Sequence, residues 1–418
     1  MALQTANLTP SLWHDQVPVE QPRPSLGSGR HEVDVVIVGA GFSGLWTAYH
    51  LQEQDPHLAI MVLEAEQCGF GASGRNGGWC IAEMAASHAR WTKLSDEARA
   101  TALDHELHLT VDMIEQTIRD EGIDCDFVRG GELHLARNGG QRHRLQKQVD
   151  ETASFWLNAD EASAKCGASN VLGGLFVPST AVLHPAKLVR SLAQIVERRG
   201  ATIYEQTRVT EAEPGRVTTM TAEVVAKHVV LATEGYTSAL PGRKRKLVPL
   251  NSMMIATEPL SATLLDEIRL HDRPSFADGR FVVVYGQRTA DNRLAFGGRA
   301  APYRFGSKIP GPFDYSTNTT IHSILLDLFP MLADTQITHQ WGGVLGVPRN
   351  WTPSVEIGPD RRFMQAGGYV GEGRRGDSPR GSDHGRRHYG HATFAATPTR
   401  WSVGRRGPGR LSRSAGVA

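Results

Sequence analysis

The sequence predicts an α/β fold that begins with a parallel βαβ unit. A β-branched run at residues 32–40, EVDVVIVGA, is followed by a glycine turn and by a helical stretch that reaches about residue 54. A second apolar run, LAIMVLEAE, occupies residues 58–66 and ends in acidic residues. A strand, a helix and a strand within about 30 residues form the repeating unit of a parallel sheet.

Further elements follow from the periodicity of the apolar residues. The stretch 97–121 is amphipathic and contains neither glycine nor proline, which predicts a long helix. A second helix is predicted from residue 184 to the glycine at position 200, a residue suited to a helix C-terminus. Strands are predicted in GGELHLAR (130–137), ATIYEQTRVTEAE (201–213) and KHVVLATEGY (227–236). The segment 281–299 predicts two strands joined by a turn at Asp291–Asn292.

Composition excludes several classes of protein. The chain has 418 residues with a net charge of +1, a balance that points to neither nucleic acid nor a membrane surface. None of its four cysteines lies in a C-x-x-C pair, which argues against a zinc site or a redox dithiol, and no metal is expected. So few cysteines in so long a chain, and the lack of a basic-then-apolar start, favour a cytoplasmic location.

The two ends of the chain differ from its middle. Residues 1–30 are polar and contain prolines, so we interpret them as an arm or linker. Residues 374–418 contain ten arginines and two aspartates but neither lysine nor glutamate, and few large apolar residues. Such a segment buries too little apolar surface to offset its chain entropy, so it is predicted to be disordered. It also lacks the interleaved aromatic residues or folded module of a nucleic-acid-binding segment.

The glycine turn carries the first functional signal. Residues 39–44, Gly-Ala-Gly-Phe-Ser-Gly, fit the pattern G-x-G-x-x-G, and Glu64 lies 20 residues after Gly44. The glycines allow a tight turn, close approach to a pyrophosphate and packing of helix on strand, while the acid binds ribose hydroxyls. The pattern therefore predicts a dinucleotide site without a 2′-phosphate, and it leaves NAD and FAD as alternatives.

A second glycine-rich segment helps to choose between these dinucleotides. The loop CGFGASGRNGGW at residues 68–79 contains five glycines, so its backbone leaves room for a flat ring system and its phosphates. This loop and the strand VVLATEGY argue against an NAD-dependent dehydrogenase. The colour of the purified protein distinguishes the two, because a flavoprotein is yellow.

Seven motifs, in the same order along the chain, carry a resemblance to a known family. They are VVIVGAGFSGL, VLEAE, GFGASGRNGG, HPAKLVRSL, VVLATEGY, DNRLAFGGR and AGGYVGEG. From about Ser11 to Gly373 the sequence resembles the D-amino acid oxidase and glycine oxidase family of FAD enzymes, whose members include the γ-glutamylputrescine oxidases. The resemblance implies a Rossmann-type FAD-binding domain with an antiparallel-sheet substrate domain, as in the two-domain flavoproteins of the glycine oxidase type.

The implied domains are discontinuous within residues 31–373. The FAD-binding parts are expected at about 31–90, 180–240 and 340–373, and the substrate parts at about 91–179 and 241–339. By resemblance, Gly39, Gly41 and Gly44 hold the pyrophosphate, Glu64 the ribose, and Val209 the adenine, while Ala232 and Thr233 close the pocket. The residues implied to line the flavin are Ser73, Arg75, Asn76, Gly77 and Gly78, together with Gly371 and Gly373 of the last motif.

The implied reaction is oxidation of a carbon next to an amine nitrogen, with hydride transfer to the flavin N5. Such a reaction needs no dedicated acid–base triad, and we assign no catalytic residue. The expected partners are a small amine or amino acid and oxygen or another electron acceptor. Because no cysteine lies in WGGVLGVPRNW, where some relatives attach the flavin, FAD is expected to be non-covalent.

Substrate-site candidates come from the strands around residue 290. Arg288, Asn292 and Arg299 flank strands that in the family face the substrate, and an arginine there could clamp a carboxylate; a solvated charge is the alternative. Tyr285 could close over the ligand or simply pack within its strand. His184 is interpreted as a helix-start residue. Three aromatic residues are assigned either to a wall of the flavin site or to the core: Trp341, Trp351 and Tyr369.

The resemblance stops abruptly after Gly373. In relatives this glycine turn opens a helix of small and apolar residues whose N-terminus points to the flavin pyrimidine edge. Here it runs into RRGDSPRGSDHGRRHYG, which has no helical apolar period. We therefore keep two further hypotheses: a frame change in the gene, and a flavoprotein that is catalytically impaired because it lacks this helix.

Overall fold

The computed structural model describes residues 11–82, 87–281, 283–298 and 315–370. Three residues that the sequence analysis assigns to the substrate and flavin sites lie outside this part: Arg299, Gly371 and Gly373. The segment 374–418, with the hypotheses attached to it, lies outside it as well. Within those ranges no helix combines the length and apolar character needed to cross a membrane.

The described part of the chain contains both helices and strands. The helices are α1 (Leu12–Asp15), α2 (Phe42–Gln54), α3 (His88–Leu94), α4 (Glu97–Asp120), α5 (Gly139–Gln146), α6 (Ala159–Lys165), α7 (Pro185–Arg198), α8 (Ala262–Ile268) and α9 (Tyr315–Leu328). The strands of the N-terminal half are β1 (Gly29–Val38), β2 (Ile60–Leu63), β3 (Trp79–Cys80), β4 (Glu132–Leu135), β5 (Phe155–Leu157), β6 (Gly174–Val177), β7 (Ala181–Val182), β8 (Thr202–Tyr204) and β9 (Glu211–Glu213). Those of the C-terminal half are β10 (Arg216–Thr218), β11 (Ala222–Leu231), β12 (Leu247–Thr257), β13 (Ser275–Asp278), β14 (Val284–Arg288), β15 (Leu294–Gly298), β16 (Ile337–Pro348), β17 (Ser354–Ile357) and β18 (Phe363–Gly367).

The first sheet has a parallel centre. Its order is β17-β18-β11-β1-β2-β8, and β1 pairs in parallel with both β2 and β11. The β-branched run of β1 is buried on both faces, as expected for a central parallel strand. Helices α2 and α7 cover one face, and β9 and β10 extend the sheet beyond β11. The predicted βαβ unit is therefore confirmed.

The second sheet is antiparallel apart from one pair of strands. Its order is β16-β12-β15-β14-β13-β4-β6-β5, and only β13 and β4 run parallel among the pairings described. One face packs on α8 and α9 through residues such as Ile268 and Leu325. The other face presents Met254, Tyr285 and Trp341 to the segment that follows the glycine-rich loop. The two halves of the molecule therefore meet at this face.

Most of the predicted elements are found. Helices α4 and α7 coincide with the predicted ones, and β14 and β15 form the predicted hairpin, with Asn292 at a φ of 66° in the turn. The boundary expected near residue 340 falls inside β16, which pairs along its length with β12 of the second sheet. The division into domains stays a prediction.

The interpretation of residues 1–30 as an arm needs correction for residues 11–15. Leu12 and Trp13 of α1 are buried against the second sheet and the glycine-rich loop. Ser11 caps this short helix by accepting a hydrogen bond from the His14 nitrogen at 3.2 Å. Burial of these two large apolar side chains outweighs the polar character of the surrounding segment, and that character is what suggested an arm.

Candidate functional site

A cavity of about 370 Å³ opens at the carboxyl ends of β1, β2 and β11. Ligands of open α/β sheets bind in this position, outside the strand ends where the connections diverge. The lining residues that the sequence predicts for a dinucleotide are Gly39, Gly41, Glu64, Ser73, Val209, Ala232 and Thr233. Residues that lie up to about 190 positions apart in the chain thus meet around one cavity.

The glycine turn after β1 is sterically required. Gly39 has a φ of +106°, and a Cβ there would lie 2.6 Å from the carbonyl oxygen of Ala232. A Cβ on Gly44 would lie 2.0 Å from the carbonyl oxygen of Gly39, so α2 can pack this closely only with glycine. The turn therefore brings the start of α2 directly against the ends of β1 and β11.

The start of α2 offers backbone donors to the cavity. The helix begins at Phe42 after Gly41, which supplies no side-chain cap, and the first N–H groups of a helix have no intrahelical partner. The N–H of Phe42 donates to Ser73 Oγ at 2.9 Å. A helix N-terminus lined by such groups favours an anion such as a pyrophosphate.

Glu64 follows β2 and faces the same cavity. Its Oε2 accepts a hydrogen bond from the Ala40 nitrogen at 2.8 Å, and its Oε1 accepts one from the Glu66 nitrogen at 3.0 Å. Removal from water raises the pKa of this carboxyl, while the two backbone donors oppose that shift. Since a carboxylate has about four acceptor positions, two remain for ribose hydroxyls.

The glycine-rich loop is fixed from within by Asn76. Its Oδ1 accepts from the Gly78 nitrogen at 2.8 Å, and its Nδ2 donates to the Ser73 carbonyl at 2.9 Å. From outside, Trp13 Nε1 donates to the Asn76 carbonyl at 2.8 Å, and Trp341 Nε1 donates to the Arg75 carbonyl at 2.9 Å. Asn76 thus shapes the loop.

Arg75 is the cation of this loop. Its Nη1 donates to the Gly342 carbonyl at 3.3 Å, and its guanidinium lies 4.7 Å from the centre of the Phe70 ring. The Nε atom is buried without a hydrogen-bond partner in the described part of the chain, and burial lowers the pKa of the side chain. A buried donor in this position suits a polar group of a bound ligand.

Gly77 and Gly78 bring the loop against the second sheet. A Cβ on Gly77 would lie 2.8 Å from the Tyr285 ring, and one on Gly78 would lie 2.1 Å from Gln287 Nε2. Gly78 also has a φ of +69°. The loop backbone therefore lies directly against two side chains of β14, and a Cβ at either glycine would collide with them.

Of the described residues, those predicted for the substrate site lie on two different faces of β14 and its hairpin. Tyr285 is buried beside Gly77, and its hydroxyl lies 2.7 Å from Ser252 Oγ. Arg288 lies on the opposite face of β14, where it donates to Asn292 Oδ1 at 2.7 Å and to the Leu270 carbonyl. Both Arg288 and Asn292 thus serve their own hairpin, and the structure does not bring them to Tyr285.

The aromatic residues and His184 also have defined positions. Trp341 is buried next to Arg75, and Tyr369 lines the cavity with its hydroxyl 2.9 Å from Ser43 Oγ. Trp351 instead packs with Val347 near the end of β16, away from the described lining of this cavity. His184 caps α7, which confirms its interpretation as a helix-start residue.

Glu234 is a cavity residue that the sequence analysis missed. Its Oε1 accepts from the Gly346 nitrogen at 3.1 Å and its Oε2 from the Gly368 nitrogen at 2.8 Å. It joins the end of β11 to β16 and to the turn after β18, with a φ of 41°. Desolvation raises its pKa to about 7. The signal available in the sequence was an acid inside the small-residue run LATEGY.

Comparison with known proteins identifies the family. Residues 34–375 match the family model DAO, described as FAD dependent oxidoreductase. A probable oxidoreductase OrdL of Haemophilus influenzae is 31% identical over 356 residues, 81% of this chain and 79% of that protein. The gamma-glutamylputrescine oxidoreductase of Escherichia coli is 28% identical over 356 residues, 81% of this chain and 80% of its own.

The fold agrees with solved structures of related enzymes. The crystal structure of glycine oxidase from Geobacillus kaustophilus superposes with a TM-score of 0.66 at 19% identity, covering 88% of this chain and 92% of that one. The family match also decides the cofactor in favour of FAD over NAD. The chain therefore belongs to the DAO family of FAD-dependent oxidoreductases.

Proposed function

We propose that the chain oxidises the C–N bond of an amine or amino acid by hydride transfer from the carbon to the flavin N5. The carbon loses a hydride and the nitrogen a proton, and the imine that results is hydrolysed by water. Bound FAD supplies the two-electron acceptor, and oxygen or another carrier takes the electrons from it. The observation that carries the proposal is the contact of Gly77 with Tyr285, where the glycine-rich loop meets the second sheet.

The residues of the first cavity fit FAD. Gly39 and Gly41 line the cavity, and Gly44 lets α2 start close beside it, so we assign these three glycines to a pyrophosphate at the helix start, where N–H groups lack intrahelical partners. Glu64 has acceptor positions left for the ribose. Val209, Ala232 and Thr233 line the same cavity, consistent with a role against the adenosine half of the cofactor.

The glycine-rich loop is the proposed flavin wall. Ser73, Asn76, Gly77 and Gly78 form a backbone surface held by the hydrogen bonds of Asn76. Arg75 adds a buried Nε donor that has no partner in the described part of the chain. From their place in the last motif, Gly371 and Gly373 are proposed to complete this wall.

The second sheet is the proposed substrate side. Tyr285 is the best-supported candidate because its ring lies against Gly77 and its hydroxyl is held by Ser252. Arg299 follows β15 directly and stays a proposal from its sequence position. Arg288 is a weaker candidate because its donors already bind Asn292 and Leu270.

The E. coli relative is named for γ-glutamylputrescine and the Bacillus licheniformis one for glycine, so the substrate class is amines and amino acids.

An impaired flavoprotein is the second candidate. The family match ends at residue 375, where the arginine-rich segment begins. If the helix expected after the last glycine turn is missing, its dipole and free N–H groups cannot stabilise the negative charge of the reduced flavin. This candidate predicts FAD binding without turnover. No nucleic-acid or membrane partner is proposed, and a cytoplasmic location stays a prediction.

Anaerobic bleaching of the flavin tests both candidates. The purified protein is mixed with amines, D- and L-amino acids and N-methylglycine, and the flavin absorbance is followed. Loss of the oxidised band with one substrate class supports amine oxidation. Dithionite serves as the control that the flavin is reducible. Bleaching by dithionite and by none of the substrates supports the impaired flavoprotein and rejects the oxidase.

A further inference from the structure

A second cavity, of about 390 Å³, lies between α1, the start of α7 and the β14–β15 hairpin. Among the described residues, none lines both this cavity and the cofactor cavity. The residues that matter for its chemistry are Trp13, His184, Lys187, Arg273, Gln287 and Asp291. Its volume falls in the range of small-molecule sites.

His184 is a wall residue of this cavity and carries an unpaired buried donor. The residue is 3% exposed, and its Nδ1 accepts the hydrogen bond of the Lys187 nitrogen at 3.2 Å that caps α7. Burial lowers its pKa to about 4, so the ring is neutral at pH 7. A neutral ring that accepts at Nδ1 carries its proton on Nε2. Nε2 is buried and has no partner in the described chain.

Arg273 brings a positive charge without a counter-ion. Its Nε donates to the Arg288 carbonyl at 3.0 Å and its Nη1 to the Asp126 carbonyl at 3.2 Å. Within the described ranges no carboxylate oxygen lies within the 4.0 Å of an ion pair, and burial lowers the pKa of the group. Nη2 is the part of the guanidinium left to bind a ligand.

The remaining charges of the cavity are paired. Asp126 accepts from Lys187 Nζ at 2.9 Å. Asp291 accepts from Arg293 Nε at 2.7 Å, and from Gln16 and Thr289 as well. With both acids neutralised by cations, the cavity retains the single positive charge of Arg273 and the N–H of His184. One charge and two donors match a monoanion with two acceptor oxygens.

The cavity also adjoins the flavin loop. Gln287 forms part of its wall and donates to the Gly77 carbonyl at 2.6 Å and to the Leu183 carbonyl at 3.4 Å. Leu183, another wall residue, donates its backbone N–H to the Gly78 carbonyl at 2.8 Å. A ligand in the cavity would therefore lie one residue away from the loop that we propose for the flavin.

We propose that this second cavity is a binding site for an organic carboxylate, whose oxygens accept hydrogen bonds from Arg273 and His184. The carboxylate belongs either to a separate small molecule or to the far end of a substrate. The site is defined by its own residues, so it does not depend on amine oxidation being the activity of the chain.

Calorimetric titration of the purified FAD-loaded protein with butyrate tests the site, and butyramide serves as the uncharged analogue of the same size. We expect one saturable site for butyrate on the parent protein. Butyramide should bind the parent at least about tenfold more weakly, and butyrate should bind Arg273→Gln at least about tenfold more weakly, since in each case a hydrogen bond to a charged group is lost. His184→Asn keeps a capping acceptor, but its shorter amide cannot place a donor where Nε2 lies, so binding should weaken about three- to tenfold. The surface variant Arg216→Gln should bind like the parent.

Several results would overturn the proposal. They are the absence of saturable binding, equal binding of butyramide, tighter binding of inorganic phosphate, or full binding by a folded Arg273→Gln variant. If thermal unfolding shows that Arg273→Gln does not fold, Arg273→Lys serves in its place, because it keeps the charge but loses the paired N–H donors of the planar guanidinium. Full binding by the lysine variant would then count against the guanidinium contact.

Kinetics distinguish the two sources of the carboxylate. If butyrate competes with an amine substrate and Arg273→Gln raises KM but not kcat, the carboxylate is part of the substrate. If butyrate binds together with the substrate and shifts the flavin spectrum, it is a separate ligand. Because calorimetry needs no turnover, binding without any substrate oxidation would support this site while rejecting the proposed function.

Discussion

The side-chain amide of Gln287 donates a hydrogen bond of 2.6 Å to the carbonyl oxygen of Gly77. Gln287 is buried in β14 of the second sheet, whereas Gly77 belongs to the glycine-rich loop beside the first. The bond fixes the loop backbone on the side of Tyr285, whose ring also touches Gly77. The geometry of the proposed flavin wall therefore depends on a residue about 210 positions further along the chain.

Replacing Gln287 should weaken FAD binding without removing it. In Gln287→Leu the Gly77 carbonyl loses its donor, and an unpaired buried acceptor costs about 1–3 kcal/mol. We expect the Kd for FAD, measured by flavin fluorescence, to rise about tenfold. Gln146→Leu, at the exposed end of α5, is the control. An unchanged Kd in Gln287→Leu would show that this bond does not position the loop.

Glu64→Lys should abolish retention of FAD. The substitution removes an acceptor for ribose hydroxyls and the acceptor of the Ala40 and Glu66 N–H groups, at a cost of at least about 1–3 kcal/mol. Flavin absorbance per polypeptide after gel filtration measures the effect, and Glu53→Lys at the exposed end of α2 is the matched control. A Glu64→Lys variant that purifies with full flavin would refute the assignment of this residue.

FAD should leave the protein when the fold is destroyed. The four cysteines are all free and buried, and none lies in the segment WGGVLGVPRNW of β16 and its turn. Precipitation with acid should therefore release yellow flavin into the supernatant. Flavin that stays with the washed pellet, or that migrates with the chain in a denaturing gel, would indicate a covalent bond elsewhere.

Glu234 should give the FAD-free protein a pH-dependent stability in the neutral range. Its pKa is about 7 when folded and 4.5 in an unperturbed carboxyl. Between these values the folded state holds a proton that the unfolded state lacks, so the free energy of unfolding falls as pH rises from 4.5 to 7. The contribution of this group is roughly 3 kcal/mol over that window.

Urea unfolding at pH 5, 6 and 7 tests this effect. Other groups titrate in the same window, so the informative quantity is the difference between the parent and Glu234→Gln, which cannot ionise. We expect the free energy of unfolding to decline less steeply with pH in the variant. Glu53→Gln, which is exposed, should keep the parent profile. Parallel profiles for parent and Glu234→Gln would mean that Glu234 titrates normally.

The local parts of the cofactor site could be predicted from the sequence. The glycine turn, Glu64 and the hairpin at Asn292 depend on residues within about 25 positions of one another, so spacing alone locates them. The strict need for glycine at position 39 follows from a contact with Ala232, which spacing does not reveal. The motif therefore indicated residues that line one cavity, and the fold shows why one of them, Gly39, must be a glycine.

The long-range parts could not be predicted in the same way. Trp13 sits in a polar segment, and its partner Asn76 lies 63 positions away. Glu234 resembles an ordinary surface acid until β16 and the turn after β18 bring two N–H groups to it. The parallel pairing of β4 with β13 also depends on residues far apart in the chain. Such contacts are determined by the packing of whole sheets, so the local pattern of apolar and polar residues in the sequence does not predict them.

The double support of the glycine-rich loop by Trp13 and Trp341 has a consequence for biosynthesis. A ribosome delivers Trp341 about 330 residues after Trp13. Until then the nascent loop has one indole to hold it, and the neighbouring strand β16 does not yet exist. We therefore expect cofactor loading to follow synthesis of β16, so that chains released before residue 341 expose an unfinished pocket to chaperones and proteases.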